Sequence, residues 1–308
     1  MKMKAVVCTK YGKPEVLQLE DVEKPVPDSN EILIRIVATS VTASDCIIRK
    51  LDLPPLMKMT ARFALGFRKP RNPILGQVLS GVVEEVGSRI REFEIGEKVF
   101  AHTFMKFGAY AEYVCVPEDS CVARMPTNVT FEEAAALPFG GTLSLYYLKK
   151  ANIQKEEYVL IYGASGSNGT LSIQIAKNYG AFVDGVCSAK NIKLVKSLGA
   201  DVVYDYTSDN FKLDDQKYDL IFDAVGKKKS ARFVYKNALR NRGKFVSVDD
   251  DNPGKKAVNK KNLLILKDLA ERNVIKPVID KVYALEQMVE AHRYVDKGHK
   301  VGNVIITI

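Results

Sequence analysis

The sequence predicts an α/β protein in two parts, one β-rich and one built on a doubly wound parallel sheet. Three observations carry this. A strand, a glycine-rich turn and a helix follow one another from Tyr158 to Lys177. From about Phe131 to about residue 271, strand-like and helical segments alternate, the order that buries a parallel sheet between helices. Before that stretch, short strand-like runs recur between glycines and prolines. A chain of 308 residues has room for two domains of ordinary size. The expected division is 1–125 with 272–308 for the β-rich part, and 126–271 for the parallel sheet. A cofactor is expected in the cleft between them.

In chain order, strands are expected over Lys4–Thr9, Glu31–Ala38, Leu79–Val86, Lys98–Ala101 and Ala109–Pro117. Leu53–Phe67, with Met57 and Met59, reads as a helix or a loop lying over a cleft, or as ordinary packing. Phe131–Tyr147 reads as a helix, with Thr130 as N-cap and Glu132 and Glu133 at its positive end. Strands follow at Tyr158–Tyr162, Phe182–Cys187, Val202–Tyr204, Leu220–Ala224 and Gly243–Val248, with helices between them. Lys227–Lys229 reads as the solvated start of one such helix. Near Pro277 short strands resume, then a helix over Leu285–Lys297 and a last strand over Asn303–Ile308 that returns to the first part.

Composition narrows the class. Hydrophobic residues make up 46% and charged residues 27%, a globular profile. No run of ~18 apolar residues exists, so no membrane span and no membrane partner are expected. The start at Met1 enters a strand without an apolar signal segment, which makes a cytoplasmic location the expectation. The five cysteines (Cys8, Cys46, Cys115, Cys121, Cys187) form no CxxC pair, so reduced thiols are expected rather than disulfides or structural zinc. The net charge of +9 reads as a basic surface or as a field for a phosphate-rich cofactor. No nucleic-acid recognition pattern accompanies it.

The turn carries the chemistry. Gly163, Gly166 and Gly169 are spaced three apart after the strand. The first lets the chain turn, the second lets backbone N–H groups approach a pyrophosphate, and the third lets helix and strand pack closely. Donors and the dipole at the helix start favour the phosphates. The cofactor-binding set read here is Gly163, Ala164, Ser165, Gly166, Ser167, Asn168 and Gly169. A tight turn holding no ligand is the alternative. An NAD site usually places an acid ~20 residues beyond the first glycine. Asp184 stands near that spacing but in mid-strand, so its carboxylate is expected to miss the ribose. The strand instead ends on Cys187, Ser188, Ala189 and Lys190, offering a hydroxyl and a cation to a 2′-phosphate. Tyr206, after the next strand, adds a donor. NADPH is the expected cofactor.

Several motifs carry a family resemblance: Pro73-Ile-Leu-Gly-Gln-Val-Leu-Ser-Gly-Val-Val-Glu-Glu-Val-Gly87, Gly96 to Phe100, Gly108 to Tyr113, Ala134 to Thr142, Ser188 to Asn191, Leu198 to Asp201, and Asp223 to Gly226. Together they resemble the medium-chain dehydrogenase/reductase superfamily, in its zinc-free, quinone oxidoreductase-like branch. The resemblance implies a GroES-like β-barrel catalytic domain and a Rossmann domain. It adds Thr142, Val225, Gly226 and Val248 to the cofactor set. By the resemblance, zinc-binding relatives hold their metal where this chain carries Thr42, Gln77, Val78 and Pro138, of which Gln alone is even a poor ligand.

The resemblance implies NADPH-dependent hydride transfer to a quinone, enone or alkenal, a small-molecule partner. A zinc-free alcohol or carbonyl dehydrogenase, or a non-catalytic nucleotide-binding relative, are the alternatives. Thr42 and Tyr110 are the candidate catalytic donors. Asp45 is a third candidate, read also as an N-cap in Ser44-Asp45 ahead of a helix from Cys46 to Lys50. The region from Asp249 to Asn262 is shorter than in relatives, which commonly dimerise by sheet-edge pairing there, so a homodimer is open. Lys300 to Asn303 stands where relatives often carry a basic residue after the glycine.

Overall fold

A computed structural model describes residues 1–226, 235–251 and 253–308, without the side chains of 55–57. The reading of Lys227–Lys229 lies outside them. The chain divides into two compact units, Met1–Phe139 with Ile279–Ile308, and Gly140–Val278.

The first unit is β-rich. Its strands are β1 (Lys2–Cys8), β2 (Leu17–Glu23), β3 (Glu31–Val41), β4 (Val78–Val86), β5 (Lys98–His102), β6 (Tyr113–Pro117), β7 (Val122–Arg124), β13 (Ile279–Ala284) and β14 (Asn303–Thr307). β1 and β2 form an antiparallel ribbon. The larger sheet runs β13-β14-β3-β4-β5-β7, with β6 also on β3. The C-terminal β14 lies antiparallel to β3, Val304 opposite Val41, so the end of the chain returns to the first unit. Inward residues of β3, β4, β5 and β6 (Ile32, Ile34, Leu79, Val99, Val114) form one core cluster. The unit also holds α1 (Ala43–Lys50), α2 (Pro55–Leu65) and, after a short 3-10 turn at Leu285–Gln287, α7 (Met288–Asp296).

Two strands, β2 and β7, lie outside the expected set. β2 is almost wholly exposed beyond Leu17, so no alternation of apolar residues announces it. β7 has only three residues.

The helix α3 (Phe131–Lys150) begins as expected. Glu133 N–H donates to Thr130 Oγ1 at 3.3 Å, and Thr130 N–H donates to Glu133 Oε2 at 3.0 Å. This reciprocal cap satisfies two otherwise orphaned donors.

The second unit is a parallel sheet in the order β10-β9-β8-β11-β12. Its strands are β8 (Tyr158–Tyr162), β9 (Phe182–Cys187), β10 (Val202–Asp205), β11 (Tyr218–Asp223) and β12 (Leu239–Ser247). α4 (Ser167–Asn178), α5 (Ile192–Ser197) and α6 (Lys260–Glu271) accompany it. β8, β9 and β11 read buried apolar at most positions because helices cover such a sheet on both faces. Chain order reverses beside β8, the place where parallel sheets of this kind bind ligands at their carboxyl ends. Among the described residues this sheet ends at β12, and Gly254–Lys256 forms only a 3-10 turn.

Candidate cofactor site and a buried polar cluster

The turn between β8 and α4 is built around its glycines, and each does something different. Gly163 sits at φ +78°, and a Cβ there would come within 2.3 Å of Val225. A Cβ at Gly169 would lie 2.2 Å from Gly163 O and 2.7 Å from Ala164 Cα. These two are required by the fold. Gly166 is not: a Cβ there meets only Gly163 O, at 3.5 Å, and φ −81°, ψ 175° is open to any residue. As N-cap of α4, Gly166 offers no side-chain cap to the helix. Asn168 Oδ1 is buried at the same helix start without a hydrogen-bond partner among the described residues. An open backbone cradle at an uncapped helix N-terminus is a fit for a pyrophosphate.

Neighbouring residues converge on this turn. Asn191 Nδ2 donates to Ser165 Oγ at 3.0 Å and to Ser188 Oγ at 3.3 Å, tying the turn to the end of β9. Sequence reasoning passed over Asn191, although it adjoins Lys190. Lys190 lies in a 3-10 turn, exposed. Tyr206 is 48% exposed, and its N–H donates to Cys187 O at 3.1 Å. At the end of β11, Asp223 Oδ1 accepts from Val225 N–H (3.1 Å) and Gly226 N–H (3.2 Å), and Oδ2 accepts from Ser247 Oγ (3.0 Å). Val248 N–H donates to Asp223 O at 3.1 Å. The carboxylate thus shapes the loop that holds Val225 and Gly226. Within the same unit, Ser144 Oγ donates to Asn168 O at 3.0 Å, which fixes α3 against the start of α4. Thr142, on that stretch of α3, is fully buried.

Asp184 is consumed elsewhere. Its Oδ2 lies 2.8 Å from Lys217 Nζ and accepts from the Tyr218 hydroxyl at 2.8 Å. Lys217 also donates to Tyr204 Oη at 3.2 Å. Asp184 stands three residues short of the end of β9, ~10 Å at ~3.3 Å per residue. Its partner immediately precedes β11, at the amino end of the parallel strands, whereas the glycine turn follows the carboxyl end of β8.

In the first unit, Thr42, Asp45 and Tyr110 come together, all buried. Here the structure corrects the cap: Thr42, not Ser44 or Asp45, is the N-cap of α1, and Asp45 is the third helical residue. Asp45 N–H donates to Thr42 Oγ1 (3.2 Å), while Thr42 N–H and Oγ1–H donate to Asp45 Oδ2 at 2.9 and 2.6 Å. The reciprocal cap needs Thr one turn ahead of the acid, and it spends the Thr42 hydroxyl proton on Asp45. Asp45 Oδ1 and Tyr110 Oη are buried and close no hydrogen bond among the described residues. Burial pushes Asp45 up to about 6, against the pull of Thr42 and the nearby phenol of Tyr110. Burial, and then Asp45, keep that phenol neutral well above its ordinary value.

The cluster continues to α7. Arg49 Nε donates to His292 Nδ1 at 3.2 Å, its Nη1 to Gly12 O at 2.7 Å, and its Nη2 to Asp296 Oδ2 at 2.6 Å. Guanidinium N–H can only donate, so the neutral ring holds its proton on Nε2. Burial lowers His292 to about 3. Tyr110 meets this ring edge-on, centroids 5.6 Å apart. Cys46 Sγ is 3.4 Å from His292 Nδ1, and burial pushes its thiol up to about 12, so it is no nucleophile.

At the positions of metal ligands in zinc-binding relatives, Thr42 is hydrogen-bonded as above and Gln77 Nε2 donates to Phe104 O at 3.3 Å. Val78 offers only its carbonyl, which accepts from Thr39 at 2.6 Å. Pro138 lies inside α3. Among the described residues no group of three His, Cys, Asp or Glu is placed to hold a metal.

Residues 28–127 match the family described as alcohol dehydrogenase GroES-like domain, and residues 169–289 that described as zinc-binding dehydrogenase. The chain is 34% identical to a 2-methylene-furan-3-one reductase of Solanum lycopersicum, over 99% of this chain and 79% of that protein. It is 31% identical, with the same coverage, to an NADPH-dependent alkenal/one oxidoreductase, chloroplastic, of Arabidopsis thaliana. The chain is a medium-chain dehydrogenase/reductase. The solved quinone oxidoreductase of Coxiella burnetii shares the fold of this dehydrogenase/reductase, with a TM-score of 0.82 at 25% identity and 100% of both chains covered. The β-rich unit is therefore the family's GroES-like part and the parallel sheet its Rossmann part. As a member it is an oxidoreductase of a family that works with pyridine nucleotides. No helix among the described residues of this dehydrogenase/reductase is long and apolar enough to cross a membrane.

Proposed function

We propose that the protein is an NADPH-dependent, zinc-independent reductase that transfers hydride to a quinone, enone or alkenal. The observation that carries the cofactor reading is the pair Asp184 and Lys190. The only carboxylate near the NAD spacing is held by Lys217 and Tyr218, while an exposed cation ends the turn after β9. In this reading Gly163 to Gly169 cradle the pyrophosphate. Ser188, Lys190 and Tyr206 hold the 2′-phosphate. Thr142, Val225, Gly226 and Val248 line the rest of the cofactor.

The bound cofactor supplies the hydride. The chain's part is to orient it and to answer the charge that develops on the acceptor oxygen. Tyr110, kept neutral, is the donor in this reading, and Asp45, locked by Thr42, sets its surroundings. Zinc independence rests on donor chemistry, since hydrogen-bonded Thr42 and Gln77, Val78 and Pro138 offer no tetrahedral ligand set. The enone and alkenal part of this reading is supported by the names of the two relatives, a 2-methylene-furan-3-one reductase in tomato and an NADPH-dependent alkenal/one oxidoreductase in Arabidopsis.

The test is oxidation of NADPH and NADH with a panel of quinones, enones, alkenals and alcohols, with and without a zinc chelator. Faster turnover with NADPH on conjugated acceptors, undiminished by chelator, is expected. A preference for NADH, for simple alcohols, or for added zinc overturns the corresponding part.

A further inference from the structure

We propose that α2 and the turn after it form a peripheral docking surface for an anionic membrane. The inference is independent of the proposed reaction. It rests on an outward-facing apolar stripe among unpaired cations.

Along α2, Leu65 enters the core cluster and Ala61 packs against it. At ~100° per residue the opposite direction of the helix belongs to Met59 and Phe63. Those two are 59% and 60% exposed, and Phe67, just past the helix, is 59% exposed. Phe63 and Phe67 stack edge-to-face with centroids 5.0 Å apart, so the stripe is continuous. Large apolar side chains this exposed and this close together mark an interaction site rather than ordinary surface.

The stripe is held in place. Tyr11 Oη donates to Gly66 O at 2.9 Å, and Arg71 N–H donates to Leu65 O at 2.6 Å. Gly66 has φ +123°, and a Cβ there would lie 2.2 Å from Lys69 O. The reversal that brings Phe67 beside Phe63 therefore requires glycine.

Charge identifies the occupant. Arg62, Arg68, Lys69 and Arg71 are exposed on or just after the helix that carries the stripe, and the chain has no acidic residue between Asp52 and Glu84. Among the described residues none of these four cations makes an ion pair. A second copy would bring four more cations against them. A bilayer with anionic lipids satisfies both features, taking the apolar tips between headgroups and the cations at the charged surface. The expectation of no membrane partner rested on the lack of a span, and a surface contact needs none.

The test is co-sedimentation of the full chain with vesicles of phosphatidylcholine alone or mixed with phosphatidylserine. Binding to the mixed vesicles, weakened by salt and absent from the neutral ones, is expected. Met59→Glu with Phe63→Glu should lower the partition coefficient at least ~tenfold. Arg62→Gln with Arg68→Gln should lower it ~fivefold or more. All four side chains are exposed, so the variants should keep the wild-type unfolding temperature. No binding to mixed vesicles, or binding unmoved by either double variant, overturns the proposal. So does a stripe whose substitution only dissolves a dimer or only raises KM for the acceptor.

Discussion

Gly166→Ala separates what the glycine turn does for the fold from what it does for a ligand. A Cβ at Gly166 meets nothing closer than Gly163 O at 3.5 Å, and the backbone there is not left-handed. The fold therefore loses only the weak preference of an N-cap position for glycine over alanine, about 0.5–1 kcal/mol. That is less than ~4 °C in unfolding temperature. In the proposed site the same methyl would enter the space where backbone approaches the pyrophosphate. Losing one N–H bond to a charged oxygen costs about 1.5–3 kcal/mol, which is ~10- to 150-fold in affinity at ~1.4 kcal/mol per decade.

Gly169→Ala is the contrast. Its methyl would lie 2.2 Å from Gly163 O and 2.7 Å from Ala164 Cα, both backbone, an overpacking that costs ~1–3 kcal/mol or more in the absence of any ligand. Calorimetric titration with NADPH and thermal unfolding of the two variants read both quantities. A folded Gly166→Ala protein with wild-type NADPH affinity refutes the site. A Gly166→Ala protein as unstable as Gly169→Ala refutes the claim that this glycine serves the ligand.

Four further outcomes are expected. Lys190→Ala should raise KM for NADPH at least ~tenfold, the worth of one charge-assisted contact, and leave NADH nearly unmoved; equal losses in steady-state kinetics would remove the 2′-phosphate contact. Lys217→Met should destabilise the fold by about 3–5 kcal/mol in urea unfolding, because it leaves the buried Asp184 carboxylate with the Tyr218 hydroxyl but no counter-charge, and adding Asp184→Asn should restore part of that; an innocuous Lys217→Met would contradict the pairing. Asp45, raised from 3.8 to about 6, holds its proton more tightly in the native state than in the unfolded chain. Its contribution is therefore most favourable below pH 3.8, falls as pH rises to about 6, and is level above, a loss on the order of 3 kcal/mol at 1.36 kcal/mol per pH unit. His102 and His292, lowered from 6.5 to about 3, act in the opposite sense, losing stability as pH falls, and do so equally in Asp45→Asn; wild type should therefore gain stability relative to the variant as pH falls from 7 to 4, and a constant difference would refute the raised value. Tyr110→Phe should lower kcat with KM for the acceptor unchanged, and a variant with full kcat would assign Tyr110 to packing alone.

What the sequence settled by itself was local. The strands at Tyr158–Tyr162 and Phe182–Cys187 have the expected bounds, the first because an apolar run cut by a glycine turn leaves one reading. The start of α3 was legible for a similar reason, since Thr130 and Glu133 lie three residues apart and cap each other. The family was legible too, because its motifs are fixed by turns and close approaches that permit few residues.

Contacts between distant parts of the chain could not be read this way. Asp184 sits near the spacing of a ribose acid, and only the start of β11, across β8 in the sheet and arriving with Lys217 and Tyr218, takes its carboxylate. Arg49 and His292 stand 243 residues apart and meet only because α7 folds back on α1. Whether Thr42 or Ser44 capped α1 depended on where the chain left β3, a matter of backbone direction. β2 carries too little apolar pattern to declare itself and exists because β1 offers it a hydrogen-bonding edge. Local signals fix a turn or a cap within a few residues of chain, whereas the partner of a buried charge or an edge strand is chosen by whichever distant segment the fold brings beside it.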